Sequence, residues 1–215
     1  KDIFFMPKLN CTFFFCLVLI FVSNTKAQSF EEELKTAITK KPKLELRMDS
    51  RHSFINQTGV KTVGVKLGVQ FEEKLSFGIG YNELWSPLSR IITDQGIERR
   101  VRLAFYNVSP YVEYVFFRND KWELSIPVQF GFGSSFYKNS GNQGAGQLKK
   151  EFVISYEPAI TFQYRFLKYF GAGFGIGYRL MIIPNQQLEE KFTSPVFIFK
   201  TGIYFQDVFR DLNID

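Results

Sequence analysis

His52 is the only histidine of the chain and the residue best suited to proton transfer near neutral pH. Ser50, Ser53, Asp49 and Asp94 are the hydroxyl and carboxyl groups that would complete a Ser-His-Asp arrangement for nucleophilic catalysis. His52 and Ser53 are adjacent, however, and adjacent side chains of a strand point to opposite faces. They cannot share a proton directly, so we favour a histidine at a loop boundary and keep catalysis by His52 as an alternative.

Other reactive sites are limited by residue counts. One histidine cannot build a multi-histidine metal site, and the only cysteines, Cys11 and Cys16, lie within the first 27 residues. Residues 171–177, GAGFGIG, have glycine at every second position and no helix after them, unlike a dinucleotide-binding loop. We therefore predict no metal site, no cofactor and no catalytic residue, and a protein that is not an enzyme.

The first 27 residues have the pattern of a secretory signal peptide. Lys1 and Lys8 provide a positive start, residues 11–22 (CTFFFCLVLIFV) form an apolar core, and Thr25 and Ala27 are small residues at a cleavage site. The apolar core is too short to span the roughly 30 Å of hydrocarbon in a bilayer. We predict export and cleavage near Ala27.

The spacing of apolar residues changes from helical to alternating along the rest of the chain. Phe30, Leu34, Ala37 and Ile38 would share one helix face, so residues 28–43 are either a short helix or a disordered lead-in. From residue 44 onwards the period is two, which predicts strands. Eight such segments follow, at about 44–54, 60–72, 75–85, 101–117, 122–137, 152–166, 170–182 and 195–209.

The fourth segment breaks phase, because its apolar residues are odd-numbered before Asn107 and even-numbered after it. One inserted residue would restore a single apolar face, so we predict a β-bulge near Asn107. Pro110, Pro127 and Pro158 lie inside segments and cannot donate to a strand ladder, so we expect bulges or interrupted pairing beside them.

The connections between segments alternate in length. Those after segments two, four and six are tight, whereas the polar joins 55–59, 86–100, 138–151 and 183–194 are longer. Antiparallel up-and-down barrels in an outer membrane alternate in this way, with short turns on the periplasmic side. We predict an all-β fold, an eight-stranded antiparallel up-and-down transmembrane β-barrel over residues 44–215, with residues 28–43 as an N-terminal periplasmic segment.

Alternation alone leaves open which face points inward. An eight-stranded barrel has little interior volume, so its many Phe, Tyr, Ile and Leu side chains fit better outside, against lipid. The polar faces carry glycines and charges of both signs, and buried charges are costly unless they are paired. We predict an interior ion-pair network of Glu45, Arg47, Asp49, Arg51, Lys66, Glu123, Glu157, Arg165, Arg179 and Lys200.

Large aromatic residues lie near both ends of the segments, as expected for the two girdles at bilayer interfaces. The predicted girdle residues are Trp85, Trp122, Phe136, Phe152, Phe166, Phe170, Tyr178 and Phe205.

Together, the leader, the eight alternating segments, the tight turns on one side and the glycine-rich polar faces resemble the OmpA/OmpX-type small outer-membrane β-barrels. The resemblance covers residues 44–209 and implies a location in the cell outer membrane of a Gram-negative bacterium. The resemblance implies one of several functions, because proteins of this architecture include anchors, adhesins, assembly factors and lipid-modifying enzymes. It therefore does not decide the function.

We expect a non-enzymatic structural anchor or surface-interaction protein with a closed lumen filled by side chains. Its partners would be outer-membrane lipid and an extracellular or surface protein bound by the loops 86–100 and 138–151. The net charge of +6 is spread along the chain without a Lys/Arg cluster on one element, so we expect no nucleic acid. Two alternatives stay open: a lipid A-modifying barrel enzyme that uses His52, and a soluble lipocalin-like periplasmic lipid carrier.

Overall fold

The computed structural model describes residues 31–32, 35–94, 96–139 and 146–203. The predicted signal peptide and Phe205 lie outside these ranges, and export and cleavage near Ala27 stay predictions. Residues 31–32 and 35–38 are helical. An ion pair between Lys40 and Glu72 connects this N-terminal segment to the turn at residues 72–74. Within the described ranges, we find no helix with the length and hydropathy needed to cross a membrane.

The described residues contain nine strands, all paired in one antiparallel sheet. They are β1 (Lys43–Ile55), β2 (Thr58–Phe71), β3 (Leu75–Leu84), β4 (Ser89–Asp94), β5 (Ile97–Arg118), β6 (Trp122–Asn139), β7 (Gln147–Arg165), β8 (Phe170–Ile183) and β9 (Ser194–Ile203).

Eight of these strands close into a ring. β9 pairs with both β8 and β1, and β3 pairs with β5, so each ring strand has two neighbours. The eight-stranded antiparallel barrel is confirmed. β4 stands outside the ring and pairs with β5 alone, where it forms a hairpin arm beyond the barrel wall.

The period of two along each strand decides which side chains enter the barrel. On β2, Val65 and Leu67 are exposed on the outside, whereas Lys66 between them is buried inside. Phe130 and Phe174 are likewise exposed, and Lys200 is buried. The apolar face therefore points outward and the polar face inward, which is the opposite of the soluble lipocalin-like carrier.

The predicted bulge near Asn107 is wrong. β5 keeps one register with β6 from Val101 to Val115, and its register with β3 is also unbroken. The bulge lies between Val115 and Phe117, close to the short turn. The odd-numbered residues of β5 point inward along that whole stretch, so its apolar residues before Asn107 lie inside the barrel.

The long joins are shorter than the alternation predicts, because the strands extend into them. Residues 55–59 contain only a two-residue turn, Asn56 and Gln57, whose φ angles of 47° and 65° are typical of a type I′ hairpin. The segment 86–100 contains β4 and the start of β5, and the described residues 138–139 and 147–151 belong to β6 and β7. Only residues 184–193 form a long irregular connection among the described residues.

Each of the three prolines lies beside a gap in one ladder, as expected for a residue without an amide proton. The β5–β6 pairing skips Pro110, the β6–β7 pairing skips Pro127, and the β7–β8 pairing skips Pro158. Each proline is paired on its other side, so the ring remains closed.

Candidate functional site

The middle of the barrel is filled by a network of buried charges. One of its centres is Glu113 on β5, which is 1% exposed. Its carboxylate accepts hydrogen bonds from Arg47, from Ser125 and, at 3.0 Å, from the Lys200 ammonium group. Thr161 completes this centre, with its hydroxyl 2.9 Å from the Lys200 nitrogen. Strands β1, β5, β6, β7 and β9 are thus joined across the lumen.

A second centre surrounds the Arg51 guanidinium group. It lies 2.7 Å from Asp49 and 2.9 Å from Glu157, and Gln129 accepts a hydrogen bond from it at 3.1 Å. Arg179 contacts the other Glu157 oxygen at 2.8 Å. Buried ions of this kind are tolerable only when they are paired and hydrogen-bonded, which is the arrangement found.

The structure brings eight of the ten predicted network residues into this central region: Glu45, Arg47, Asp49, Arg51, Lys66, Glu157, Arg179 and Lys200. Glu123 instead pairs with Arg118 at 3.3 Å near the short turns, and Arg165 lies at the same end and is only partly buried.

Glu113 is not among the ten predicted network residues, because the sequence indicates it only as a possible fifth acid beyond the expected bulge. Unbroken alternation from Val101 onwards would have placed it inside.

Glu73 organises a smaller charged cluster in the turn between β2 and β3. Its carboxylate lies 2.8 Å from the Lys43 ammonium group and 3.3 Å from the Arg118 guanidinium group. Partial burial alone would raise the pKa of Glu73, but the hydrogen bond from Lys43 and the charge of Arg118 hold that pKa below its usual value. The cluster fastens the start of β1 to this turn.

Above the charged network, the long-loop end of the lumen contains a cluster of buried apolar side chains, which we call the apolar plug. It contains Ile55, Val60, Leu84, Val101, Leu103, Phe105, Tyr137, Val153, Leu188 and Phe192. The apolar half of β5 that breaks the alternation pattern therefore faces this plug and not lipid. Phe105 and Phe192 pack with ring centres 5.1 Å apart.

Residues 184–193 lie across this mouth and are hydrogen-bonded to three strands, β4, β6 and β7. The Asn185 amide donates to backbone oxygens of Ser135 and Lys149, both at 2.9 Å. Glu190 accepts hydrogen bonds from Tyr137 on β6 and from Arg90 on β4. This predicted polar join therefore covers the mouth of the barrel, with Asn185, Leu188, Glu190 and Phe192 buried and the residues between them exposed.

Little free space remains between the charged centres. The cavity lined by Arg51, Glu113, Glu157 and Lys200 has a volume of about 20 Å³. That volume holds about one water molecule. Along the described residues, the lumen has a polar middle and an apolar outer end.

The predicted girdle residues lie on the outer surface with one difference. Trp85, Phe152 and Tyr178 are exposed toward the long-loop end, and Trp122, Phe166 and Phe170 are exposed toward the short-turn end. Phe136 is only 2% exposed, because the ammonium groups of Lys138 and Lys150 lie over its ring at 5.7 and 5.6 Å. Phe205 lies outside the described residues.

The structure places His52 and Ser50 on the outer face of β1, and it places Ser53 and Asp49 of the Ser-His-Asp hypothesis on the inner face. His52 is exposed on the outer face, where its ring contacts Phe199 edge-on at 5.5 Å. Ser53 and Asp49 are buried on the inner face. The side chain of Asp94 is outside the described set. His52 therefore cannot receive a proton from Ser53 or be oriented by Asp49. The described residues also contain no cluster of three potential metal ligands.

No family model and no curated protein sequence matches this chain. Solved structures do match it: neisserial surface protein A is 11% identical, with 77% of this chain and 100% of that chain covered and a TM-score of 0.56. Ail of Yersinia pestis, solved with the heparin analogue sucrose octasulfate, is 9% identical over 76% and 99%, with a TM-score of 0.48. The N-terminal barrel of Pseudomonas aeruginosa OprF is 12% identical over 76% and 98%, with a TM-score of 0.43.

At this level of identity the likeness to neisserial surface protein A is one of fold. The predicted resemblance to small eight-stranded outer-membrane β-barrels is confirmed.

Proposed function

We propose that this chain is a closed outer-membrane barrel that acts without catalysis, as a membrane anchor that presents a rigid interaction surface outside the cell. The observation that carries the proposal is the filling of the lumen in two layers, a charged middle and an apolar plug. A barrel built for transport would need a continuous polar path, and a soluble carrier would need an apolar cavity.

The same strands that line the lumen provide the surface. β5, β6 and β7 have 22, 18 and 19 residues, whereas a membrane crossing takes about 9–11. Together with β4 they project beyond the bilayer as a sheet supported by the plug. A preformed sheet loses little conformational entropy when a partner binds, which favours recognition. The neisserial protein of the same fold bears the name of a surface protein, which is consistent with this role.

Two measurements test this function. The full chain reconstituted in planar bilayers is expected to show no stepwise conductance, since the network and the plug both block the lumen. Stable single-channel currents would refute the closed lumen.

Removal of residues 86–96 shortens the hairpin arm. The barrel should still fold, as shown by heat-modifiable gel migration, while cells that display the shortened protein should adhere less to a host surface. Unchanged adhesion would refute the role of the arm.

A further inference from the structure

Four cationic side chains lie together on the outer face of the projecting sheet. They are Arg100 and Arg102 of β5, Lys138 of β6 and Lys150 of β7, and all four are exposed. We call this group the cationic patch. Within the described part of the chain, none of the four makes an ion pair.

The strand period shows that the cationic patch continues the lipid-facing surface. Arg100 and Arg102 have the same parity along β5 as the exposed Val108, and Lys138 has the parity of the exposed Phe132 on β6. The register between β5 and β6 is constant from Val101 to Val108, so side chains of equal parity over this stretch share one face. The register between β6 and β7 shifts between Ser135 and Tyr137, and Lys150 is assigned to the patch by its exposure and by its position, with Lys138, over the Phe136 ring.

The patch also lies at a defined height above the outer aromatic girdle. Lys150 is two residues beyond the exposed Phe152, and the Arg102 guanidinium group donates to the backbone oxygen of the exposed Trp85 at 3.4 Å. With about 3.3 Å per residue and a strand tilt of about 40°, these positions are roughly 5–10 Å above the girdle. Lipid headgroups occupy this layer next to the hydrocarbon core.

The arrangement costs stability in the absence of an anion. Arg102 and Lys138 are direct cross-strand partners, and like charges at such positions repel. The ammonium groups of Lys138 and Lys150 converge on one Phe136 ring. The acid nearest along the same face of β5 is Glu98, which lies two residues beyond Arg100 and opposite Thr93. A bound phosphate group would relieve this repulsion through charge-assisted hydrogen bonds.

We infer that the cationic patch binds the phosphate groups of an anionic lipid in the outer leaflet. The inference rests on the proposed placement of the barrel in an outer membrane. A membrane lipid is favoured over a soluble polyanion for two reasons. The patch is continuous with the lipid-facing surface, and Arg102 is hydrogen-bonded to the backbone of Trp85 in the outer aromatic girdle.

The test measures binding of two lipids to the full chain, refolded in a zwitterionic detergent, by native mass spectrometry. The probes are bisphosphorylated lipid A and lipid A from which the phosphates have been removed. The native chain should prefer the phosphorylated form. Arg102→Gln/Lys138→Gln should weaken its binding about 25-fold, from about 5-fold for each charge near an anionic surface. The matched control, Lys41→Gln/Lys121→Gln, removes two exposed cations at the short-turn end and should bind like the native chain.

Several outcomes would overturn the inference. One is equal binding of the two lipids, and another is an equal loss in the control. Loss of binding to a soluble polyanion such as dextran sulfate, with lipid A binding unchanged, would assign the patch to an extracellular partner instead. Arg100→Gln/Lys150→Gln provides a second pair should the first variant fail to fold. A chain that folds and shows no conductance, but does not prefer the phosphorylated lipid A, refutes only this inference. Conductance in planar bilayers, or failure of the chain to insert into a bilayer, refutes the proposed function.

Discussion

Replacement of Glu113 by alanine is the sharpest test of the filled lumen. The carboxylate is buried and receives hydrogen bonds from Arg47, Ser125 and Lys200. Its removal leaves the Lys200 ammonium group, itself 6% exposed, without a carboxylate at hydrogen-bond distance, while Arg47 retains Glu45. The barrel interior offers little water to replace the lost partner.

Breaking a buried ion pair by removal of one member typically costs about 3–5 kcal/mol. We expect Glu113→Ala to lower the free energy of unfolding by this amount, which at a denaturant slope of about 2 kcal/mol per M moves the urea midpoint by roughly 2 M. As a control, Lys121→Gln at an exposed position should change the free energy of unfolding by less than about 0.5 kcal/mol.

The measurement is urea unfolding of the barrel in phospholipid vesicles, followed by tryptophan fluorescence and by heat-modifiable gel migration. The double variant Glu113→Gln/Lys200→Met removes both partners and should lose clearly less than the sum of its single variants, because the two sites are coupled. A loss below about 1 kcal/mol for Glu113→Ala, or strict additivity in the cycle, would show that the buried charges are not paired as the structure has them.

Three further predictions address orientation, packing and pH. Ile176→Arg, on the exposed face at the centre of β8, should destabilise the vesicle-embedded barrel by about 2–4 kcal/mol, and no effect would contradict the outward lipid face. Gly133→Ala places a methyl group 1.9 Å from a backbone oxygen and should cost at least about 2 kcal/mol in the same unfolding assay, whereas Gly59→Ala meets nothing within 4 Å and should fold normally. The lowered pKa of Glu73 means that its carboxylate stabilises the fold fully above its unfolded pKa of about 4.3, and that this contribution disappears as the pH falls through the lower folded value. Glu73→Gln should therefore be slightly less stable than the native chain at pH 7, by under about 1 kcal/mol, and equal to it in strong acid; a difference that persists in acid would exclude this carboxylate as its cause.

The strands and the direction of their faces could be predicted from the sequence. Adjacent side chains of a strand, such as Val65 and Lys66, point to opposite faces whatever the position of the strand in the fold. An alternating segment therefore already divides its residues between two surfaces. The small volume of an eight-stranded barrel then decides which surface is inside. For the same reason, eight of the ten predicted interior charges do meet in the central network.

The apolar plug could not be predicted in this way. Leu103 belongs to β5 and Leu188 to the connection after β8, and only closure of the ring brings them together. Within one strand, an apolar residue that points inward looks like an interruption of the alternating pattern. This is why the sequence predicts a bulge near Asn107.

The cationic patch has the same origin. Arg102 and Lys138 are 36 positions apart in the printed sequence, where the positive charge looks evenly spread. Antiparallel pairing of β5 with β6 places them side by side. The sequence by itself determined how the residues of a strand divide between two opposite faces, because that depends on the alternation within one strand. The tertiary structure alone decided which charges and apolar groups become neighbours, because those contacts depend on register between strands that are distant along the chain.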